Sequence, residues 1–321
     1  MTGSKKGTGD RGQPVCTEQI SVTSRELTLA GCFTRPDAPV PHPTALLLAG
    51  SGPLDRDGNA RRMPLNLSRD LARLLAEHGW ASVRYDKRGV GASTGQYLPT
   101  GFYDELADAE AVLMWLHARP EVSTIVPIGH SAGASMAAEL AARHGDVVAG
   151  VVLLAATAKT GEQTLIWQAS QIEPTLPAPA RGLLRLLRTD VRRQQRKALD
   201  RIMATDADVA RIQGAKINAR WMREFIDYDP LPALRSIGVP TLAMTGSKDV
   251  QVDPHDIAAI AAAVASAEAR VLPDVDHILR HEPRPVSDVR RYKKQVANPI
   301  DPAVETLLVE WLSQLVDDPR G

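Results

Sequence analysis

A serine between two glycines, Gly129-x-Ser131-x-Gly133, is the part of this sequence best suited to chemistry. Residues 123–128 before it are rich in β-branched side chains and predict a strand, whereas small residues after it predict a helix. A strand that turns directly into a helix presents its serine at the tip of a sharp turn, where the hydroxyl can attack an electrophilic carbon. The flanking glycines remove the side chains that would clash where strand and helix approach. The pattern therefore predicts that Ser131 is a nucleophile.

A serine hydroxyl needs a base to take its proton and an acid to orient that base. In an open parallel sheet such groups gather just past the carboxyl ends of strands. The chain order associated with this turn is serine, then acid, then histidine. Asp249 follows a predicted strand at 241–245, and His277 follows a predicted strand at 269–272. Type and order together predict a triad of Ser131, Asp249 and His277.

Four other residues compete for these roles. His281 lies four residues beyond His277, and we prefer His277 because it is nearer the end of the strand. We expect Asp253 to cap the helix that follows it, and Asp276 to be too close in sequence to His277 to orient its ring. His130 lies within the turn itself and is not expected to act as the base of the adjacent serine.

Acyl transfer also needs N–H donors for the oxyanion that develops on the substrate. One donor is expected from Ala132, which follows the nucleophile, and the other from the loop after the third strand, residues 49–53. In that loop we predict Ser51 as the donor, with Gly52 as the second choice. We also predict that Gly52 and His130 contact the substrate.

Strands and helices alternate along most of the chain, which predicts a doubly wound, mostly parallel sheet covered on both faces. Two β-like runs at 20–23 and 27–30 predict an antiparallel hairpin at its start. The alternation breaks between about 158 and 229, where helical periodicity is present without a clear strand. The predicted organisation is a flexible tail at 1–17, a core at 18–157 and 230–317, and a helical cap at 158–229.

Charged and aromatic residues outside the triad have alternative interpretations. Asp86 and Arg88 are expected to be structural, pairing with each other or with the loop at 55–57. A basic run is interpreted as a solvated helix face, with attraction of acidic substrates as the alternative: Arg181, Arg185, Arg188, Arg192, Arg193, Arg196 and Lys197. Four apolar residues of the insertion either form its core, which we favour, or line an acyl pocket: Trp167, Trp221, Met222 and Phe225.

The composition excludes several classes of protein. The chain has 321 residues, of which 44% are hydrophobic and 24% charged, as in ordinary globular domains. Its 38 basic and 38 acidic residues balance, which argues against a nucleic-acid binder. No apolar run reaches the roughly 20 residues of a membrane span, and the first residues lack the apolar segment of a signal peptide. Cys16 and Cys32 are expected to be free thiols, so we predict a cytoplasmic protein.

The residues quoted above resemble the α/β-hydrolase superfamily from about residue 20 to residue 315. One departure is Ala49–Gly50, where many relatives carry His-Gly before the oxyanion residue. The resemblance implies the α/β-hydrolase fold and hydrolysis of a carboxylic ester through an acyl-enzyme, with no cofactor and no metal. Three parts of the chain are similar, more narrowly, to the serine aminopeptidase-like and esterase branch with an inserted cap: residues 50–53 with 55–58, 84–91 and 228–230.

The leading hypothesis is a serine hydrolase acting on a small-molecule ester of a small or medium, mainly apolar acyl group. The same triad could instead serve a thioesterase, a peptidase or an acyltransferase. A receptor that kept the fold without turnover is a hypothesis from another class, and the intact triad argues against it. Dehalogenase chemistry would need an aspartate at position 131, and dinucleotide binding would need a Gly-x-Gly-x-x-Gly spacing near Gly50. We expect no nucleic-acid or membrane partner, and a homodimer stays open.

Overall fold

The computed structural model describes residues 18–172, 190–212 and 214–317. The strands in this part of the chain are β1 (Glu18–Ser24), β2 (Leu27–Thr34), β3 (His42–Leu48), β4 (Asn59–Ala60), β5 (Met63–Pro64), β6 (Ala81–Tyr85), β7 (Val122–His130), β8 (Val151–Leu154), β9 (Val209–Ile212), β10 (Ala215–Asn218), β11 (Thr241–Gly246) and β12 (Ala267–Leu272). The helices are α1 (Leu67–Glu77), α2 (Phe102–His117), α3 (Ala132–Arg143), α4 (Gly161–Ile172), α5 (Val191–Met203), α6 (Ala219–Asp227), α7 (Leu231–Ser236), α8 (Asp256–Ala263), α9 (Tyr292–Gln295) and α10 (Pro302–Asp317).

The main sheet contains eight strands in the order β1-β2-β6-β3-β7-β8-β11-β12. β1 and β2 form the predicted hairpin, β2 also pairs antiparallel with β6, and the other neighbours are parallel. Because β3, β7, β8, β11 and β12 are consecutive in the sheet and parallel, the loops that leave them meet at one edge. The predicted fold class, a mostly parallel sheet with helices, is confirmed.

The alternation of side chains along β3 explains why helices cover both faces of the sheet. Leu46 and Leu48 belong to a buried cluster that includes residues of α2 and α3. Ala45 and Leu47 point the other way, into a second cluster formed with residues of α1 and α10. Each buried leucine contributes roughly 2 kcal/mol relative to exposure. A strand with apolar residues on both faces is stable only between two layers of helices.

Strand β8 is shorter than the apolar run that contains it. That run covers residues 147–155, but β8 begins only at Val151. The N–H groups of Val147 and Val148 both donate to the carbonyl of His144, so these residues continue the turn that ends α3. Hydrogen bonds to the preceding helix therefore decide the start of the strand, and hydrophobicity alone does not.

The segment predicted as a helical insertion contains α4, α5 and α6, and also an antiparallel hairpin of β9 and β10 that the sequence analysis missed. The basic residues of α5 are exposed, as expected for a solvated helix face, while Leu199 and Ile202 on its other side are buried. Arg181, Arg185 and Arg188 lie outside the described residues.

The charges after β6 are structural, with partners that were predicted only in part. Asp86 accepts two hydrogen bonds from the Arg56 guanidinium, at 3.1 and 2.7 Å, which is the predicted pairing with the loop at 55–57. Arg88 instead binds both carboxylate oxygens of Asp108 on α2, at 2.5 and 2.8 Å. The pairing of Arg88 with Asp86 or with that loop is therefore wrong, because α2 supplies a nearer carboxylate.

The structure corrects one expectation about the cysteines. Cys32 is disulfide-bonded, so the prediction of a free thiol is wrong at this position, and the argument from free thiols for a reducing compartment loses its support. Cys16, like the rest of the predicted tail at 1–17, lies outside the described residues. Among the helices that are described, none combines the length and apolar character needed to cross a bilayer.

Candidate active site

The turn at Ser131 has the strained geometry that the Gly-x-Ser-x-Gly spacing predicts. Ser131 stands between the end of β7 and the start of α3, with φ 55° and ψ −123°, values that a residue with a side chain rarely adopts. A Cβ atom on Gly129 would lie 2.1 Å from the carbonyl oxygen of Gly133, and one on Gly133 would lie 2.2 Å from that of Leu48. Both glycines are therefore required by the contact between strand, helix and β3.

The backbone of Ser131 is held on both sides. Its N–H donates to the carbonyl of Leu154 in β8 at 2.9 Å, and its carbonyl accepts from the N–H of Ala134 at 2.8 Å. Its half-buried side chain lines a cavity beside the turn. These two hydrogen bonds fix the backbone position of Ser131, and its hydroxyl faces that cavity.

His277 and Asp249 form a buried hydrogen-bonded pair. His277 Nδ1 lies 2.8 Å from Asp249 Oδ2, and both side chains are buried. The other oxygen of Asp249 accepts from the backbone N–H groups of Gln251 and Val252, at 2.7 and 2.9 Å. These bonds fix the carboxylate, which holds the proton of the imidazole on Nδ1 and leaves Nε2 as the basic nitrogen. Within the described ranges no hydrogen bond joins the Ser131 hydroxyl to this ring.

Two of the competing residues lie away from this pair. The side chain of His281 is 59% exposed, and its Nδ1 is 3.4 Å from Asp301 Oδ2. Asp253 pairs with the ammonium of Lys159 at 3.0 Å and accepts the N–H of His255. His255 is itself the N-cap of α8, so the prediction that Asp253 caps this helix is wrong.

Asp276 supports the loop that carries the histidine. One of its carboxylate oxygens accepts the N–H groups of Ile278 and Arg280, at 3.0 and 2.9 Å, which closes the turn around His277. Burial raises the pKa of Asp276 to about 6. The bonded oxygen of Asp276 faces the backbone of this turn, whereas Asp249 is the carboxylate that contacts the His277 ring.

His130 is placed differently from its predicted role in substrate binding. Its ring lies outside the cavity lining and packs against the His277 ring, with centroids 4.8 Å apart. His130 Nε2 lies 2.7 Å from the carbonyl oxygen of His277, and donates to it in the neutral form. Burial, followed by the charges of His277 and Arg280, lowers the pKa of His130 to about 3. The His130 ring therefore packs against His277 and lies outside the lining of the cavity.

Two backbone N–H groups beside Ser131 have no partner. Ser51 and Ala132 both line the cavity, and neither N–H donates to an acceptor in the described part of the chain. Gly50 packs against the turn so closely that a Cβ atom there would lie 3.3 Å from Ser131 Cβ. The loop after β3 is thus held beside the serine, with one unpaired donor on each side.

Gly52 also lines the cavity, but its N–H has a neighbour of its own. Burial raises the pKa of the Tyr97 hydroxyl, and the contact from the Gly52 N–H opposes that rise. Ser51, whose N–H has no partner among the described residues, stays the first choice of the two predicted donors.

The cavity has a volume of about 850 Å³, within the range of small-molecule sites. Helix α6 supplies Trp221, Met222 and Phe225 to its wall, and Trp221 and Phe225 are at the same time part of the main buried cluster. The expectation of a core position therefore holds for Trp221 and Phe225, and the alternative that these residues bind an acyl group stays a prediction. Trp167 lies outside the lining. Among the described lining residues Lys216 carries the only charge, and none carries a carboxylate.

Lys87 is a buried residue near the site to which the sequence analysis gave no role. Its Nζ lies 2.7 Å from the carbonyl oxygen of Gly50 and 2.8 Å from Glu105 Oε2 on α2. The signal that could have found it is a lysine directly after a buried strand, between the charged residues Asp86 and Arg88. Burial raises the pKa of Glu105, and the Lys87 ammonium opposes this rise.

A mostly parallel sheet with a serine turn after one strand and a hydrogen-bonded aspartate–histidine pair after two later strands defines the class of α/β hydrolases. Residues 65–284 match the family described as serine aminopeptidase, S33. This match spans more than half of the chain, and the chain belongs to that family.

Comparison with individual proteins agrees with this assignment. The chain is 27% identical over 229 residues to esterase EstD of Thermotoga maritima, covering 71% of this chain and 52% of the relative. It thus spans about half the length of this curated relative. The solved structure of ferulic acid bound to Est1E from Butyrivibrio proteoclasticus matches with a TM-score of 0.61, 16% identity and coverage of 92% and 99% of the two chains. Proline iminopeptidase of Mycobacterium smegmatis matches with a TM-score of 0.62, 15% identity and coverage of 93% and 98%. These two likenesses concern the fold.

Proposed function

We propose that the chain hydrolyses a carboxylic ester with a small or medium, mainly apolar acyl group, through an acyl-enzyme on Ser131. His277 takes the proton of the attacking hydroxyl and returns it to the leaving alcohol, while Asp249 holds the imidazole and stabilises its charged form. The N–H groups of Ser51 and Ala132 bind the oxyanion. Water then attacks the acyl-enzyme by the same steps.

The observation that carries this proposal is the buried pair of Asp249 and His277, 2.8 Å apart, with the imidazole packed against His130, the residue before a strained serine. A buried aspartate–imidazole pair is what a serine needs to become nucleophilic near neutral pH. Hydrogen bonds between nucleophile and base are often long in a protein without substrate and tighten when substrate binds. The unbonded hydroxyl of Ser131 is therefore compatible with this role.

The lining of the cavity favours an ester over a peptide with a free amino terminus. An aminopeptidase has to bind the α-ammonium group of its substrate, and a carboxylate is the usual partner for a buried cation. Within the described residues the cavity offers no carboxylate, and Lys216 would repel a cation. We therefore keep the ester as the substrate and propose residues 158–229 as the cap that encloses its acyl group.

Substitution of the proposed nucleophile tests the function directly. Ser131→Ala is expected to lower kcat for p-nitrophenyl butyrate by about 10⁴-fold or more, because the covalent route is lost. A fluorophosphonate probe is expected to label the wild type at Ser131, as read by peptide mass spectrometry. Unfolding by urea checks that the variant retains its fold.

His277→Ala and His281→Ala form a matched pair of controls. We expect His277→Ala to lose nearly all activity and His281→Ala to retain it, because the exposed His281 ring lies outside the site. If His281→Ala lost activity and His277→Ala retained it, His281 would be the base. A chain that binds esters without being labelled by the probe would favour the receptor alternative, and rapid turnover of thioesters would favour a thioesterase.

A further inference from the structure

Lys87 is a buried cation that contacts the loop carrying the proposed oxyanion donor. The residue follows β6, its side chain is 7% exposed, and its ammonium lies between Gly50 O and Glu105 Oε2. Glu105 on α2 neutralises the charge, which makes burial of the ammonium tolerable. The bond from the ammonium to the carbonyl oxygen of Gly50, at 2.7 Å, affects the peptide group that carries the proposed oxyanion donor.

The carbonyl of Gly50 and the N–H of Ser51 belong to the same peptide group. This peptide is trans, since the only cis bond among the described residues precedes Pro41. In a planar trans peptide the C=O and N–H bonds point in opposite directions. An ammonium that holds the oxygen on one side therefore turns the Ser51 N–H to the opposite side, where Ser51 lines the cavity.

The charge of Lys87 also strengthens this donor. A cation on the carbonyl oxygen draws electron density out of the amide, which makes its N–H more positive and a better partner for an anion. The effect is large in a buried environment, where charges are weakly screened. Orientation and polarisation then act together on one N–H group.

We propose that Lys87 is a positioning residue for the oxyanion hole, which acts by orienting and polarising the Gly50–Ser51 peptide. This inference rests on the proposed function of the same site. Lys87 does not touch the substrate, and it contributes only when negative charge develops on the substrate oxygen. Its removal should therefore weaken binding of the transition state and leave binding of the ground state unchanged.

The test variant is Lys87→Met/Glu105→Gln, which removes both charges and leaves no buried ion without a partner. We expect kcat for p-nitrophenyl butyrate to fall by about 10- to 100-fold with KM within twofold, less than the loss of a whole oxyanion donor. Inhibition by a trifluoromethyl ketone, which binds as an oxyanion adduct, should weaken by the same factor as kcat/KM. The corresponding methyl ketone, which stays a carbonyl, should bind as before.

Arg88→Met/Asp108→Asn is the matched control, because it removes the neighbouring buried ion pair between the same loop and the same helix. It is expected to lower the unfolding midpoint comparably while leaving the binding of the trifluoromethyl ketone unchanged. Lys87→Gln, which keeps a neutral donor, should lose kcat by a smaller factor than the double variant and carries the test if the latter does not fold.

Unchanged kcat in the Lys87 variants overturns the proposal. Equal weakening of inhibition by the two ketones also overturns it, as does equally weakened inhibition by the trifluoromethyl ketone in the control variant. Fluorophosphonate labelling separates this failure from that of the proposed function. If the wild type is not labelled at Ser131, the proposed acyl-enzyme is wrong. If the wild type is labelled and kcat is unchanged in the Lys87 variants, only the proposed role of Lys87 is wrong.

Discussion

At the scale of single residues, the proposed site depends on two neighbouring histidines. His277 bonds to Asp249 and, in the proposed mechanism, keeps one nitrogen for proton transfer, while His130 is buried and bonds to its backbone carbonyl. A neutral His130 suits this place, because a second positive charge beside the imidazolium formed in catalysis would oppose it. The lowered pKa of His130 is thus linked to the function of its neighbour, and it has a consequence for stability.

We expect His130 to make the wild type sensitive to acid. The unfolded chain binds a proton at this histidine below its ordinary pKa of 6.5, whereas the folded chain binds it only near 3. Falling pH therefore favours the unfolded state over this whole range. Between pH 7.5 and 4.5 the wild type should lose about 2–3 kcal/mol more unfolding free energy than His130→Asn, as measured in urea.

His281→Asn is the control for the loss of an imidazole, because the His281 side chain is 59% exposed. Its replacement is expected to change the unfolding free energy at pH 7.5 by less than about 0.5 kcal/mol. Parallel behaviour of wild type and His130→Asn would show that His130 is protonated in the folded state at ordinary acidity.

At the scale of elements, helix α6 connects the insertion to the core. Phe102 of α2 packs against Trp221 and Phe225 of α6, with ring centroids 5.9 Å apart in both cases. Asn218 begins the helix, since its side-chain oxygen accepts the N–H of Trp221, and its amide donates to the carbonyls of Tyr97 and Thr100. One side chain thus caps α6 and binds it to the loop before α2.

Asn218→Ala is expected to destabilise the protein by about 2–3 kcal/mol, from a lost helix cap of about 1 kcal/mol and two carbonyls without a donor. Asp190→Ala is the matched control, because Asp190 caps the exposed helix α5 through a single bond to the N–H of Arg193. It should lose about 1 kcal/mol in the same urea titration. Equal losses in the two variants would contradict the bridging role of Asn218.

The sequence predicts this level of organisation well where local signals are strong. The opening hairpin and the alternation of strands and helices follow from hydrophobic periodicity and were predicted with the fold class. The hairpin of β9 and β10 was missed because each strand has only four residues and no alternating pattern to mark it.

Contacts between distant loops could not be predicted from the sequence. Asp249 and His277 are predicted because chain order and strand ends restrict where an acid and a base can lie; the structure brings the two side chains together, and their catalytic roles stay a prediction. Lys87 was not predicted, because its contact with Gly50 exists only since β6 lies beside β3 in the sheet. His130 was placed on the substrate because adjacency to the serine does not reveal which side of the turn its ring occupies.

At the scale of the whole molecule, the order of strands gathers the site at one edge of the sheet. The loops after β3, β7, β11 and β12 supply Ser51, Ser131, Asp249 and His277 in turn. The cavity that Ser51 and Ser131 line takes much of its wall from the predicted insertion, including Leu165, Ile202 and Trp221. Under the proposed function, the core carries the chemistry and these wall residues select the substrates that fit.

The charge of this cavity predicts a preference among esters of equal size. We expect kcat/KM for p-nitrophenyl butyrate to exceed that for the p-nitrophenyl ester of alanine by about 100-fold near neutral pH, because an ammonium would be buried without a partner. Acetylating that amine should restore much of the rate. Equal or faster cleavage of the free amine would instead indicate an aminopeptidase.

Trp221 and Phe225 belong to the main core and to the cavity wall at once, which limits how this protein can diversify. A change that enlarges the cavity at these positions also leaves a void between α2 and α6, so new specificity there is coupled to loss of folding stability. Lys216 borders the same cavity with an exposed side chain and belongs to neither the main cluster nor that of the insertion. Substitutions there should cost little stability, and adaptation to new substrates should accumulate at this position first.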